Sequence, residues 1–191
     1  VEARFFTVLA SGKIDDGVEI FAGNQLRFAS DDIVGNAERV STPYKGMYND
    51  VQVGERILMD DGKLEVKVIA KDGTDVITEV VYGGLLKQKK GVNLPNTNIS
   101  QPSVTEKDWE DLKFGLANDV DWVALSFVRT AGEIKEIQDY IKAQGKFAKV
   151  IAKVEKPEAI VNMKEIVDMS DAIMVARGDL GVELPSEDVP M

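Results

Sequence analysis

Lys153, Glu155 and Asp179 are the residues of this chain whose types and spacing suit a divalent metal and a phosphate. Lys153 and Glu155 close the apolar run Val150-Ile151-Ala152-Lys153-Val154-Glu155, which reads as a buried strand. Two apart on a strand, they project to the same face. A lysine in such a run is costly to bury unless it is paired. For an isolated strand, a purely structural Lys–acid pair explains this as well as a functional one. The next apolar run, Ala172 to Ala176, also ends in charge, with Arg177-Gly178-Asp179-Leu180-Gly181. Gly178 lets the backbone approach a ligand closely, and a short helical turn starting there would aim free N–H groups at an anion. Glu155 and Asp179 would be two carboxylates on neighbouring strand ends. Mg²⁺ is usually held that way, with water and substrate oxygen at its other positions. Lys153 and Arg129 would supply positive charge for a phosphoryl group, with Ser126 nearby at the end of another strand.

Composition narrows the chemistry further. The 191 residues include no histidine and no cysteine. That excludes a Ser-His-Asp triad, a thiolate metal site and a disulfide framework. Metal plus lysine is the catalytic apparatus that remains. The formal net charge of −10 argues against a nucleic-acid face or an anionic membrane partner, while leaving room for a locally basic substrate site. No apolar run approaches the ~20 residues of a spanning helix, and no signal peptide is visible. A soluble, cytoplasmic protein is the expectation.

Two regions with different periods must position these residues. From about 5 to 94 the chain is β-rich, with short strands expected at Phe5–Leu9, Glu19–Phe21, Gln25–Phe28, Arg56–Met59, Leu64–Ile69 and Val76–Tyr82. Asp15-Asp16-Gly17, Asp60-Asp61-Gly62 and Lys71-Asp72-Gly73 read as hairpin turns, and even spacing suggests a small barrel or sandwich. From about 103 the period becomes helical and strand-like in alternation. Helices are expected at Thr105–Asn118, with a Thr105/Asp108 capping box, at Glu133–Ala143, stopped by Gly145, and at Pro157–Met169. Buried strands are expected at Trp122–Val128, Ala148–Val154 and Ala172–Ala176. The strand-to-strand repeat of roughly 25 residues is that of parallel α/β units. Asp60 and Asp61 are read first as turn residues, with a closing approach to a nucleotide as the second reading.

At this point a resemblance enters. Met174-Val175-Ala176-Arg177-Gly178-Asp179-Leu180-Gly181-Val182-Glu183-Leu184-Pro185 resembles the signature of the pyruvate kinases. Four further segments resemble that family in the same order: Lys90-Gly91-Val92-Asn93-Leu94-Pro95, Thr105-Glu106-Lys107-Asp108 with Asp111–Gly115, Asp121–Arg129, and Ile151–Glu155. The sequence departs from the family at Asn96, where a glycine is usual, and at Lys156, where an amide is common. The resemblance implies an α/β fold with an all-β inserted domain: a partial TIM (β/α)8 barrel, about three of eight strands, plus a small β-barrel lid. It implies a β-rich lid (B) domain over 1–92 and a partial barrel (A) domain over 93–191, truncated at both ends. It also implies that the parent enzyme transfers phosphate from phosphoenolpyruvate to ADP, giving pyruvate and ATP, with Mg²⁺ (or Mn²⁺) and K⁺ as cofactors, as a homotetramer. Lys153 would be catalytic, and Glu155 and Asp179 would hold the metal. Lys153, Arg177, Gly178, Asp179 and Ser126 would meet the substrate, and Lys90 the nucleotide phosphates.

Two other readings stand beside it. A metal-dependent lyase or mutase on an α/β barrel can also place Glu and Asp on adjacent strand ends, but would not require a β-rich insertion before them. A non-catalytic or truncated module is expected for the 191 residues taken alone, since three parallel strands leave backbone edges unpaired.

Overall fold

The computed structural model describes residues 2–3, 8–10, 14, 17–42, 44–88, 90–97, 99–100, 104–184 and 189. In chain order the elements are β1 (Glu2–Ala3), β2 (Val8–Ala10), β3 (Val18–Ile20), β4 (Gln25–Ala29), β5 (Arg39–Ser41), α1 (Met47–Asp50), β6 (Arg56–Met59), β7 (Leu64–Asp72), β8 (Asp75–Tyr82), β9 (Gly84–Leu86) and β10 (Lys90–Asn93). There follow α2 (Glu106–Ala117), β11 (Trp122–Leu125), α3 (Ala131–Ala143), β12 (Lys149–Val154), α4 (Pro157–Val161), α5 (Met163–Met169), β13 (Ala172–Val175) and α6 (Arg177–Glu183). Two compact units result, one from Thr7–Gln101 and the other from Val1–Phe6 with Pro102–Met191. β10 pairs with β2 and β6, so the chain stays in the first unit past residue 93.

The first unit is a seven-stranded sheet, β2-β10-β6-β7-β8-β4-β5, beside a two-stranded sheet of β3 and β9. All its pairings are antiparallel except β4 with β5. Period-two alternation buries Leu64, Val66 and Val68 of β7. Thr78 of β8 is also buried, and its hydroxyl donates to the Leu26 carbonyl at 2.7 Å, which removes the cost of burying it. The β6–β7 hairpin turns through Asp60, Asp61 and Gly62, all left-handed at φ 51°, 56° and 81°. In the β7–β8 hairpin Asp72 stays in the strand opposite Asp75, and the turn is Gly73-Thr74. Asp15-Asp16 and Phe5-Phe6-Thr7 lie outside the described residues.

The second unit is mixed α/β. Its sheet runs β1-β11-β12-β13, with every neighbouring pair parallel. Four strands replace the three expected, because Glu2–Ala3 pairs with β11. Val150, Ala152 and Val154 point one way from β12 into a core shared with Ile134, Ile137 and Ile141 of α3. Alternation therefore sends Lys153 to the opposite face. α2 begins at Thr105, whose hydroxyl accepts from the Asp108 N–H while its own N–H donates to the Asp108 carboxylate, the capping box expected.

Two expectations are corrected here. The run Trp122–Val128 is a strand only to Leu125, because Phe127 takes φ +52° and leaves extended geometry. The helix expected over Pro157–Met169 breaks at Asn162, which is non-helical at ψ 15°. The Asn162 amide donates to the Arg129 carbonyl at 2.9 Å, a competing bond of the kind that makes Asn poor inside helices.

Candidate functional site

The carboxyl ends of β11, β12 and β13 carry Arg129, Lys153, Glu155, Lys156, Arg177 and Asp179. Lys153, in the last turn of the pleat on β12, is nearly buried. Its ammonium lies 2.8 Å from Glu155 Oε1 and donates to Ser126 Oγ at 3.1 Å. Glu155, 1% exposed, uses its other oxygen to accept the Phe127 N–H at 2.8 Å. The left-handed turn at Phe127 is what aims that N–H across to β12. Left-handed geometry costs an L-residue roughly 1–2 kcal/mol, and residues held so cluster at functional sites. Lys153, Glu155 and Ser126, three residues singled out from sequence, thus form one buried cluster.

Arg177, Gly178 and Asp179 open α6 directly after β13, and all three are exposed. α6 is a neighbour in sequence of β13, and β13 pairs with β12 in parallel, Lys153 opposite Met174. Arg129 is drawn elsewhere: its Nε is 3.2 Å from Glu133 Oε1 at the start of α3. Lys90 belongs to the other unit, on β10, where its ammonium is 2.8 Å from Asp60 Oδ1. That bond holds the Asp60 carboxyl below its ordinary range and the Lys90 ammonium above its own.

Sequence reasoning missed two members of the neighbourhood. Lys156 and Glu183 are buried and joined at 2.7 Å, and the Lys156 ammonium stands 5.9 Å from the centre of the Phe127 ring. The advance signal was Lys156 itself, a lysine directly after Glu155 where the resembling family commonly has an amide.

The donor set can be tested against a metal. Among the described residues no group of three or more His, Cys, Asp or Glu side chains converges. Two carboxylates, one fixed and one exposed, with no imidazole or thiolate in the chain, suit Mg²⁺ or Mn²⁺, which keep waters and substrate oxygens in their shells. They do not suit a closed zinc-type cage.

A parallel α/β unit with charged side chains at the carboxyl ends of its strands has the site layout of an α/β enzyme. The barrel-domain model of the pyruvate kinases matches residues 6–191, and the chain belongs to that family. It is 45% identical over 181 residues to a pyruvate kinase of Corynebacterium glutamicum, covering 94% of this chain and 38% of that protein. Against a pyruvate kinase of Clostridium perfringens it is 46% identical over 175 residues, 91% of this chain and 37% of the relative. Against one of Mycobacterium intracellulare it is 49% identical over 169 residues, 88% and 36%. The chain therefore spans less than two fifths of the length of these relatives. No helix among the described residues is long and apolar enough to cross a membrane.

Proposed function

We propose that the protein carrying this chain is a pyruvate kinase, transferring the phosphoryl group of phosphoenolpyruvate to ADP in glycolysis. The observation that carries this reading is the buried Lys153–Glu155–Ser126 cluster at the strand ends, in a chain of this family. In the reaction the phosphorus–oxygen bond to the enol oxygen breaks and a bond to the terminal ADP oxygen forms. The enolate left behind takes a proton at carbon to give pyruvate. Lys153 neutralises the transferring group, which needs positioning and charge compensation more than covalent help. Glu155 and Asp179 would hold Mg²⁺ or Mn²⁺. When bound, the metal supplies charge stabilisation at the phosphoryl and substrate oxygens. The Gly178 and Asp179 amides and Arg177 orient the substrate carboxylate, and Ser126 keeps the Lys153 ammonium pointed at the phosphate. Lys90 attracts the nucleotide phosphates.

The β-rich unit, Thr7–Gln101, is proposed as the lid and the α/β unit, Val1–Phe6 with Pro102–Met191, as part of a TIM barrel, in a cytoplasmic homotetramer acting on small molecules, with no nucleic-acid or membrane partner. A potassium requirement follows from the family. No step is assigned to that ion. The test is pyruvate formation by the purified gene product from phosphoenolpyruvate and ADP with Mg²⁺. Turnover that vanishes on chelation is expected; no turnover with any divalent metal would refute the assignment.

A further inference from the structure

The Lys156–Glu183 pair has no part in the chemistry just described, yet it sits beside it. Lys156 directly follows Glu155 at the end of β12, where its backbone caps α4. Glu183 is the last residue of α6, and its side chain is closed to solvent. The two meet at 2.7 Å, and the same ammonium faces the ring of Phe127, whose N–H holds Glu155. Lys156 therefore ties together the turn after β11, the end of β12 and the last turn of α6.

Stability alone is a poor reason for such a pair, because a well-packed apolar pair of similar volume usually does as well or better. An ion pair adds direction: a buried carboxylate finds its ammonium at only one rotation of the helix that carries it. Asp179 and Glu183 are four apart on α6 and so share one face of it. Fixing Glu183 fixes which way Asp179 points. We infer that Lys156 and Glu183 are positioning residues that set the rotation of α6, and with it the placing of Asp179 relative to Glu155. The inference rests on the reading of Glu155 and Asp179 as the metal carboxylates.

The test is Mn²⁺ affinity, read from the electron-spin resonance of free Mn²⁺, in the gene product carrying this chain. Variants K156M, E183Q and the double K156M/E183L are compared, with melting followed in parallel and with E155Q and D179N as controls. Both single variants are expected to bind Mn²⁺ about tenfold more weakly, the scale seen when a partner behind a metal ligand is lost. The double variant, free of buried charge, is expected to melt near the wild type and still bind about tenfold more weakly. If the double recovers Mn²⁺ affinity along with its melting temperature, or if it cannot fold, the pair is a packing element and the inference is overturned. Wild-type affinity in the single variants overturns it too. The controls separate the two readings. Should E155Q and D179N lose Mn²⁺ while the pair variants keep it, only the positioning role fails. Should E155Q and D179N also bind like the wild type, the metal assignment itself fails.

Discussion

The Lys153 ammonium stands 2.8 Å from Glu155 Oε1, with both side chains out of solvent and only Val154 between them in sequence. The pair is neutral as a unit, so the strand end is affordable to bury while it holds one positive and one negative group ready for a phosphoryl group and a metal. Lys153→Met should lower phosphoryl transfer at least about a hundredfold, the scale of losing one preorganised charge at a developing anion. It also strands a buried carboxylate, which destabilises by about 3–5 kcal/mol. Mn²⁺ should restore part of that loss by taking the place of the ammonium. A variant that turns over normally, or that melts no differently with and without Mn²⁺, would remove Lys153 from this role.

Phe127 offers a cleaner measurement of backbone than of side chain. Phe127→Ala and Phe127→Gly both delete the ring, but only glycine adopts φ +52° without steric cost. The glycine variant should be the more stable by about 1 kcal/mol in urea unfolding, after allowance for the greater freedom of its unfolded chain. Equal stability would mean that the turn relaxes when the ring is gone, and Glu155 would then lose the N–H it accepts.

The contrast between these residues shows what the sequence could reveal. Lys153 and Glu155 were legible because charge inside an apolar run breaks the pattern, and Thr105 with Asp108 because a cap is a local event. Phe127 was not legible: Trp122 to Val128 is apolar throughout, and nothing in residue type marks the point where φ changes sign. Asn162 was hidden for the opposite reason, since the helical period continues across it and the bond that breaks the helix goes to Arg129, far away in sequence. β5 escaped because three residues carry too little period to read. Nothing in their own segments pairs Lys156 with Glu183, and only the fold brings them together.

Asp60 distinguishes a counter-ion from a ligand. Its left-handed backbone is one that Asn adopts as readily, so Asp60→Asn should keep the turn and remove the carboxylate that pairs with both Lys90 and Lys63. If Asp60 serves only to neutralise Lys90, the freed ammonium should bind nucleotide phosphate better, and the KM for ADP should fall severalfold with kcat nearly unchanged. A rise in KM would instead assign Asp60 a direct contact with the nucleotide or its metal. The salt dependence of that KM should steepen in the variant, because the exposed ammonium then acts unscreened by its neighbour.

The β-rich unit carries its own titration signature at Asp50. Oδ2 of Asp50 accepts the Ser100 N–H at 2.7 Å, the Ser100 hydroxyl at 2.9 Å and the Tyr44 hydroxyl. Burial pushes the Asp50 carboxyl up, but these three bonds and Lys71 outweigh it, and the group stays below its ordinary value of 3.8. A carboxylate with a depressed folded pKa contributes stability above its unfolded pKa and loses it as pH falls through the folded value. The wild type should therefore be more stable than Asp50→Asn at neutral pH, with the gap closing below about pH 4, where the unfolded carboxyl takes up its proton. Tyr44 marks the other limb. Burial, and then Asp50, raise its hydroxyl above its ordinary 10.0. The unfolded phenol ionises first, so stability should fall as pH rises past about 10, and Tyr44→Phe should flatten that fall. Calorimetric melting of wild type, Asp50→Asn and Tyr44→Phe across pH 3 to 11 checks both limbs. An acid limb unchanged in Asp50→Asn would show that the Ser100 and Tyr44 bonds do not persist in solution.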